Sequence, residues 1–201
     1  MAVAGKTILV TGASRGIGRA LVTEALARGA ARVYAGTRQP LEHPDGRVTP
    51  LILDITSPEQ VREAAGQVQS LDILINNAGV FLFDDLSDRA ALERHLAVNL
   101  YGTYDVTQAF LPALTRSGGA IATIGSVAAL APIPLTPAYS VSKAAAFNLA
   151  PLAAHPAGPA GSAGARRPQR PGRYRHGPGP RHPQVLPGIG RPGHLRRDRR
   201  R

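Results

Sequence analysis

Tyr139 and Lys143 stand four residues apart in the run AYSVSKAAAF, thirteen residues after Ser126. Residues at i and i+4 share a helix face, with Cβ atoms about 5–6 Å apart. A phenol, an ammonium and a hydroxyl can therefore converge on one point. A cation beside a phenol favours its ionised form and draws its pKa down from about 10. A phenol tuned in that way is a general acid/base for interconverting a carbonyl and an alcohol. The spacing by itself also describes two solvated residues on a helix surface, so the elements around the pair must decide.

Those elements alternate. Short β-rich runs and helical patterns follow one another through the first 150 residues, which predicts parallel strands joined by helices. Strands are expected at 7–10, 32–36, 49–53, 71–75 and 120–124. Helices are expected at about 16–28, 58–69 and 138–150, with a long and subdivided helical stretch over 87–116. Ser57-Pro58 reads as an N-cap followed by a first helical residue. Between the first strand and first helix lies Thr11-Gly12-Ala13-Ser14-Arg15-Gly16-Ile17-Gly18. Glycines there permit a tight turn and close backbone approach, so that a pyrophosphate can sit on the helix N-terminus. Their spacing is G-x-x-x-G-x-G, distinct from the general dinucleotide fingerprint G-x-G-x-x-G.

With these motifs in order, the chain resembles the short-chain dehydrogenase/reductase family over about residues 5–150. TGASRGIG matches the family's cofactor loop, and Asn76-Asn77-Ala78-Gly79 matches the motif that closes its fourth strand. Asn99, Ser126, Tyr139 and Lys143 match its active-site asparagine, serine and Y-x-x-x-K. Asp54 matches the acidic residue that contacts adenine. The resemblance implies a Rossmann-like, doubly wound parallel sheet of the α/β class. It also implies hydride transfer between nicotinamide and a small carbonyl or alcohol substrate. Tyr139 would pass the proton, Ser126 orient the substrate oxygen, Lys143 bind the ribose and lower the phenol pKa, and Asn99 hold a relay water. Cofactor contacts would come from Gly12, Ser14, Arg15, Gly16, Ile17, Gly18, Arg38, Asp54, Asn76, Ala78, Gly79, Tyr139 and Lys143. The second strand ends without an acid to hold a ribose 2′-hydroxyl, and Arg38 follows it, as suits a 2′-phosphate. Arg15 adds a second cation, and together they favour NADP over NAD. Blander readings stay open residue by residue. Asp54 can be a helix-opening residue, Asn76 and Asn77 a turn, and Asn99 a buried helix asparagine. His95 reads as an ordinary helix residue, and Phe81, Phe83, Ile133 and Leu135 as core or pocket wall.

Charge points elsewhere at first. The net charge is +11, the signature of a nucleic-acid binder. Residues 1–150, however, hold 12 Lys+Arg and 12 Asp+Glu, while residues 151–201 hold 12 Arg and only Asp198. The whole excess therefore lies in the last quarter, which also carries ten prolines and nine glycines. It has no apolar periodicity and one aromatic, Tyr174, so disorder is expected there. Nucleic-acid binding through this tail is the weaker reading, because it lacks interleaved aromatics and a folded platform. The resemblance would have the tail supply a sixth and a seventh strand, and neither is visible. Codons compatible with the tail, read one base later from Tyr174, permit TDTDLGLDIPKSSPESVARAIFDG, a string like a family C-terminus. A frameshifted tail is thus one account of it, and a catalytically inactive nucleotide-binding remnant is the alternative function. The absence of cysteine excludes disulfides and thiolate metal sites. No leader pattern or apolar span is evident, so a soluble, cytoplasmic chain is expected, with a family-typical homo-oligomer as its assembly and neither a metal nor a membrane partner.

Overall fold

The computed structural model describes residues 2–153. Five parallel strands, β1 (Thr7–Thr11), β2 (Arg32–Thr37), β3 (Val48–Ile52), β4 (Ile73–Asn76) and β5 (Ala120–Thr123), form one sheet in the order β3-β2-β1-β4-β5. Helices α1 (Gly16–Ala27), α2 (Pro58–Gln67), α3 (Arg89–Leu96), α4 (Thr103–Ser117) and α5 (Pro137–Ala153) alternate with them. This is the doubly wound, Rossmann-like α/β sheet that the family resemblance implies, with five strands among the described residues. The expected Arg/Pro/Gly-rich tail lies outside the described residues except at its start, where α5 continues three residues beyond 150.

Burial on both faces explains the strand sequences. A central parallel strand is covered by helices on each side, so it reads as a continuous apolar run. In β1, Ile8, Leu9 and Val10 are all but inaccessible. Leu9 joins Leu51, Leu74, Val106 and Phe110 in one core, and Ile8 and Val10 join Val22, Val33 and Ile73 in the other. Pro50 sits in β3, at the end of the sheet, where a residue with no N–H is tolerated. β5 terminates the sheet on the other side among the described residues, and its four residues are only half-buried.

Strand order reverses at β1: β2 and β3 lie to one side of it, β4 and β5 to the other. Ligands of open α/β sheets bind at such a switch point, beyond the carboxyl ends of the strands. Thr11 ends β1 and Asn76 ends β4, which places both candidate loops at that crevice. The opposite ends of the same two strands are tied together by Asp72. Its carboxylate accepts the Thr7 N–H and the Lys6 ammonium, each at 2.9 Å. Those two bonds, the backbone one first, hold it below the 3.8 of an unperturbed aspartate. A carboxyl depressed in the fold contributes stability that is full above its unfolded pKa of about 4 and vanishes as pH falls through the folded value. Asp72→Asn should accordingly flatten the acid side of the stability profile, measured as urea midpoints at pH 3 and 7. Equal pH dependence in both proteins would refute this.

Candidate active site

The glycine loop and the end of β4 are stapled to each other by side chains. Thr11 Oγ1 accepts the N–H groups of Asn77 and Ala78, each at 3.0 Å. Asn77 Nδ2 donates back to the carbonyls of Thr11 at 2.8 Å and Gly12 at 3.2 Å. Gly12 adopts φ +66°, a left-handed geometry natural to glycine, and a Cβ on it would meet Ala78 Cα at 2.9 Å. Gly18 lies buried in the first turn of α1, tight against the Gly12 backbone. The two loops therefore pack backbone to backbone, a fit that larger residues would prevent.

Above them opens a cleft of about 580 Å³. Of the residues expected to contact a cofactor, Gly12, Ser14, Arg15, Gly16, Ile17, Gly18, Arg38, Asp54, Ala78 and Gly79 line it, whereas Tyr139 and Lys143 do not. α1 begins there with no side-chain cap and no acid in its first turn. Its N-terminal N–H groups and dipole suit an anion. Arg15 and Arg38 supply fixed positive charge, and Ile17 is 61% exposed over the opening. A glycine cradle, a bare helix N-terminus and two guanidiniums are a donor set that fits the pyrophosphate of a dinucleotide. Asp54 Oδ1 accepts the N–H and hydroxyl of Thr56, organising the turn before α2, and the residue also lines the cleft. The Ser57 cap of α2 forms as well, accepting the Gln60 N–H at 3.3 Å.

Asn76 is placed differently from the expectation. It is buried and donates through Nδ2 to Thr107 Oγ1 at 2.9 Å, on α4, and is not among the residues lining the cleft. Successive residues at a strand end point to opposite faces, so it is Asn77 that faces the cleft. Sequence reasoning considers the two asparagines together but names only Asn76 as a cofactor contact.

The helical stretch over 87–116 is subdivided without a break. Between α3 and α4 the hydrogen bonding widens into a π-helical turn, Ala97–Gly102, with Asn99 at its middle. Such turns re-aim a side chain from a continuing helix. Asn99 is 1% exposed: its Oδ1 accepts the Val80 N–H at 2.8 Å, and its Nδ2 donates to Val80 O at 3.0 Å and Ser142 Oγ at 2.9 Å. Ser142 Oγ in turn donates to the Tyr139 carbonyl at 2.7 Å. A Cβ built on Gly79 would lie 3.1 Å from Asn99 Oδ1 and 3.7 Å from Lys143 Nζ, so both groups face the cleft's Gly79 rim.

Tyr139 and Lys143 share a face of α5, as their spacing predicts. The ammonium lies 5.9 Å from the phenol ring centroid and donates to Ile124 O at 3.1 Å. Burial pushes the Lys143 ammonium below the ordinary lysine range. Ser126 leaves β5 and caps a short 3-10 turn, Val127–Ala129, which packs against α5. The cleft wall reaches the phenol through Phe81, whose ring meets that of Tyr139 edge-on at 4.9 Å. Phe81 lines the cleft, while Phe83, Ile133 and Leu135 are exposed and do not line it, so none of the four belongs to the core. His95 is wholly buried between Ala91 O, 2.8 Å from Nδ1, and the Leu82 N–H, which donates to Nε2 at 3.1 Å. It holds the loop in place, a role for which an isolated helix histidine gives no sequence signal. Among the described residues no helix is long and apolar enough to cross a membrane, and no cluster of metal ligands occurs.

Known proteins are similar to this chain. Estradiol 17-beta-dehydrogenase 2 of Mus musculus is 34% identical over 157 residues, covering 70% of this chain and 41% of the relative. The short chain dehydrogenase pigC of Monascus ruber is 34% identical over 170 residues, covering 74% and 56%. The chain thus spans about half the length of the curated relatives it matches. A solved short chain dehydrogenase from Burkholderia cenocepacia, in complex with NADP, superposes with a TM-score of 0.74 at 39% identity, over 76% of this chain and 67% of that one. The family model described as short chain dehydrogenase matches residues 6–161, from the first strand to beyond the helix that bears Tyr139, and this chain belongs to that family.

Proposed function

We propose that this chain carries the cofactor and proton-transfer machinery of an NADP(H)-dependent oxidoreductase acting on a small carbonyl or alcohol substrate. The observation that carries the reading is the continuity of the cleft. Arg15 and Arg38 line it beyond β1 and β2, and Val80 and Phe81 line it beyond β4, against the phenol of Tyr139. The glycine loop, Arg15 and Arg38 would hold a nicotinamide dinucleotide, which would supply hydride chemistry there. Tyr139 donates the proton that the reduced oxygen needs, and Ser126 orients that oxygen. Lys143, desolvated and close to the phenol, acts on it through a field that water screens little. Asn99 keeps one acceptor lone pair beyond its protein bonds, which suits a relay water near Lys143. Residues 1–150 form the cofactor-binding unit in this scheme. Exposed Tyr101, Tyr104, Val141 and Phe147 on the α4 and α5 side support a homo-oligomer.

Preference for NADP(H) rests on Arg38 and Arg15, since a charge-assisted bond to a 2′-phosphate contributes about 1.5–3 kcal/mol. Arg38→Asp should raise the NADPH KM by about tenfold or more and leave the NADH KM unchanged or lower. The comparison is of initial rates with either cofactor over a panel of ketones and aldehydes. A wild-type chain that prefers NADH would overturn the cofactor assignment. NADPH binding without oxidation over the whole panel would instead favour the non-catalytic nucleotide-binding alternative.

A further inference from the structure

The loop leaving β4 is fastened at alternate residues. Val80 is held by Asn99, Leu82 by His95, and Asp84 by the start of α5. Asp84 Oδ1 accepts the Ala138 N–H at 3.1 Å, and the Asp84 N–H donates to Leu135 O at 3.3 Å. Ala138 is the second residue of α5 and Tyr139 the third.

A helix start ordinarily takes its cap from the residue just before it. Thr136 stands there, and its carbonyl accepts the first intrahelical bond, from the Ser140 N–H. Yet Thr136 Oγ1 is buried without a hydrogen-bond partner, while the Ala138 N–H goes to a carboxylate 54 residues upstream. Asp84 Oδ2 is buried and unpartnered as well. Unsatisfied buried polar atoms are destabilising, so capping alone, which Thr136 could do locally, does not account for the arrangement. What the longer tie adds is a fixed separation between the cleft loop and the first turn of the helix that carries the phenol.

We infer that Asp84 is a positioning residue for Tyr139: by tying the cleft loop to the second residue of α5, it fixes where the phenol stands relative to Phe81 and the cleft. This rests on the oxidoreductase reading of the site. The test compares Asp84→Ala and Asp84→Asn with the wild-type chain, by steady-state kinetics with NADPH and by hydrogen exchange at the Ala138 amide. Asp84→Ala should lower kcat by about 10–100-fold, the scale of a small misplacement of a reacting group. The KM for NADPH should stay within about twofold, because the glycine loop is untouched. Asp84→Asn keeps an acceptor oxygen and should restore kcat to within about threefold of wild type, with Ala138 exchange slow again. The inference is overturned if kcat in Asp84→Ala is unchanged, or if Asp84→Asn is as damaged as Asp84→Ala. It is equally overturned if the cofactor KM rises in step with the loss of kcat, which would mark general loosening. A wild-type chain that reduces no carbonyl defeats the oxidoreductase reading alone. The tie is then judged on exchange, and equal Ala138 rates in wild type and Asp84→Ala overturn it.

Discussion

Tyr139→Phe is expected to remove turnover by about a thousandfold or more while the affinity for NADPH stays within about twofold of wild type. Losing a positioned general acid costs about 10²–10⁴ in rate. No other described phenol is paired with the Lys143 ammonium. The substitution keeps the ring, so the edge-on contact with Phe81 and the packing beside His95 persist. The Ser142 bond to residue 139 uses the backbone carbonyl and is likewise untouched. A loss of kcat with unchanged cofactor binding therefore reports the proton and nothing else. Residual turnover within tenfold of wild type would move the acid elsewhere and sink the assignment.

Much of this site was legible because local chemistry encodes it. A buried strand that ends in TGASRGIG must turn sharply, and the glycines that permit the turn also permit close approach to a phosphate. Ser57-Pro58 opens α2 because a hydroxyl acceptor and a residue with no N–H suit the first turn of any helix. Tyr139 and Lys143 share a face because helical geometry makes them do so. What escaped the sequence is long-range. The π-helical turn at Asn99 leaves the apolar periodicity of its helix nearly intact, so the pattern over 87–116 shows a subdivision without its cause. Its partner, Val80, is 19 residues away. His95 carries no mark distinguishing a buried loop anchor from a surface histidine until Leu82 is brought against it. Within Asn76-Asn77, only the strand's end decides which amide meets α4 and which meets the cleft. Asp84 reads as one of three nearby aspartates, since its partner at Ala138 becomes adjacent only when α5 docks.

Gly18→Ala should unfold or badly loosen the cofactor loop, with stability lowered by about 2–4 kcal/mol and NADPH affinity by more than tenfold. Helix propensity alone points the other way, because alanine in a helix interior is favoured over glycine by about 1 kcal/mol. Sterics decide the sign. A Cβ on Gly18 would overlap Gly12 O, and would stand 2.8 Å from Gly12 C and 2.6 Å from Asn77 Nδ2. Gly12 is backbone and is itself pressed against Ala78 on its other side, so it has nowhere to retreat. Asn77 could swing away only by giving up its bonds to Thr11 O and Gly12 O, which staple the two loops. Either response displaces N–H groups at the start of α1 from the positions that suit an anion. Gly66, near the end of α2, provides the control: a Cβ there meets nothing within 4 Å. Gly66→Ala should therefore gain about 0.5–1 kcal/mol from propensity and leave cofactor binding alone. Chemical denaturation and NADPH titration of the two variants separate the terms. If Gly18→Ala tracks Gly66→Ala in both measurements, the backbone-to-backbone contact does not shape the cleft.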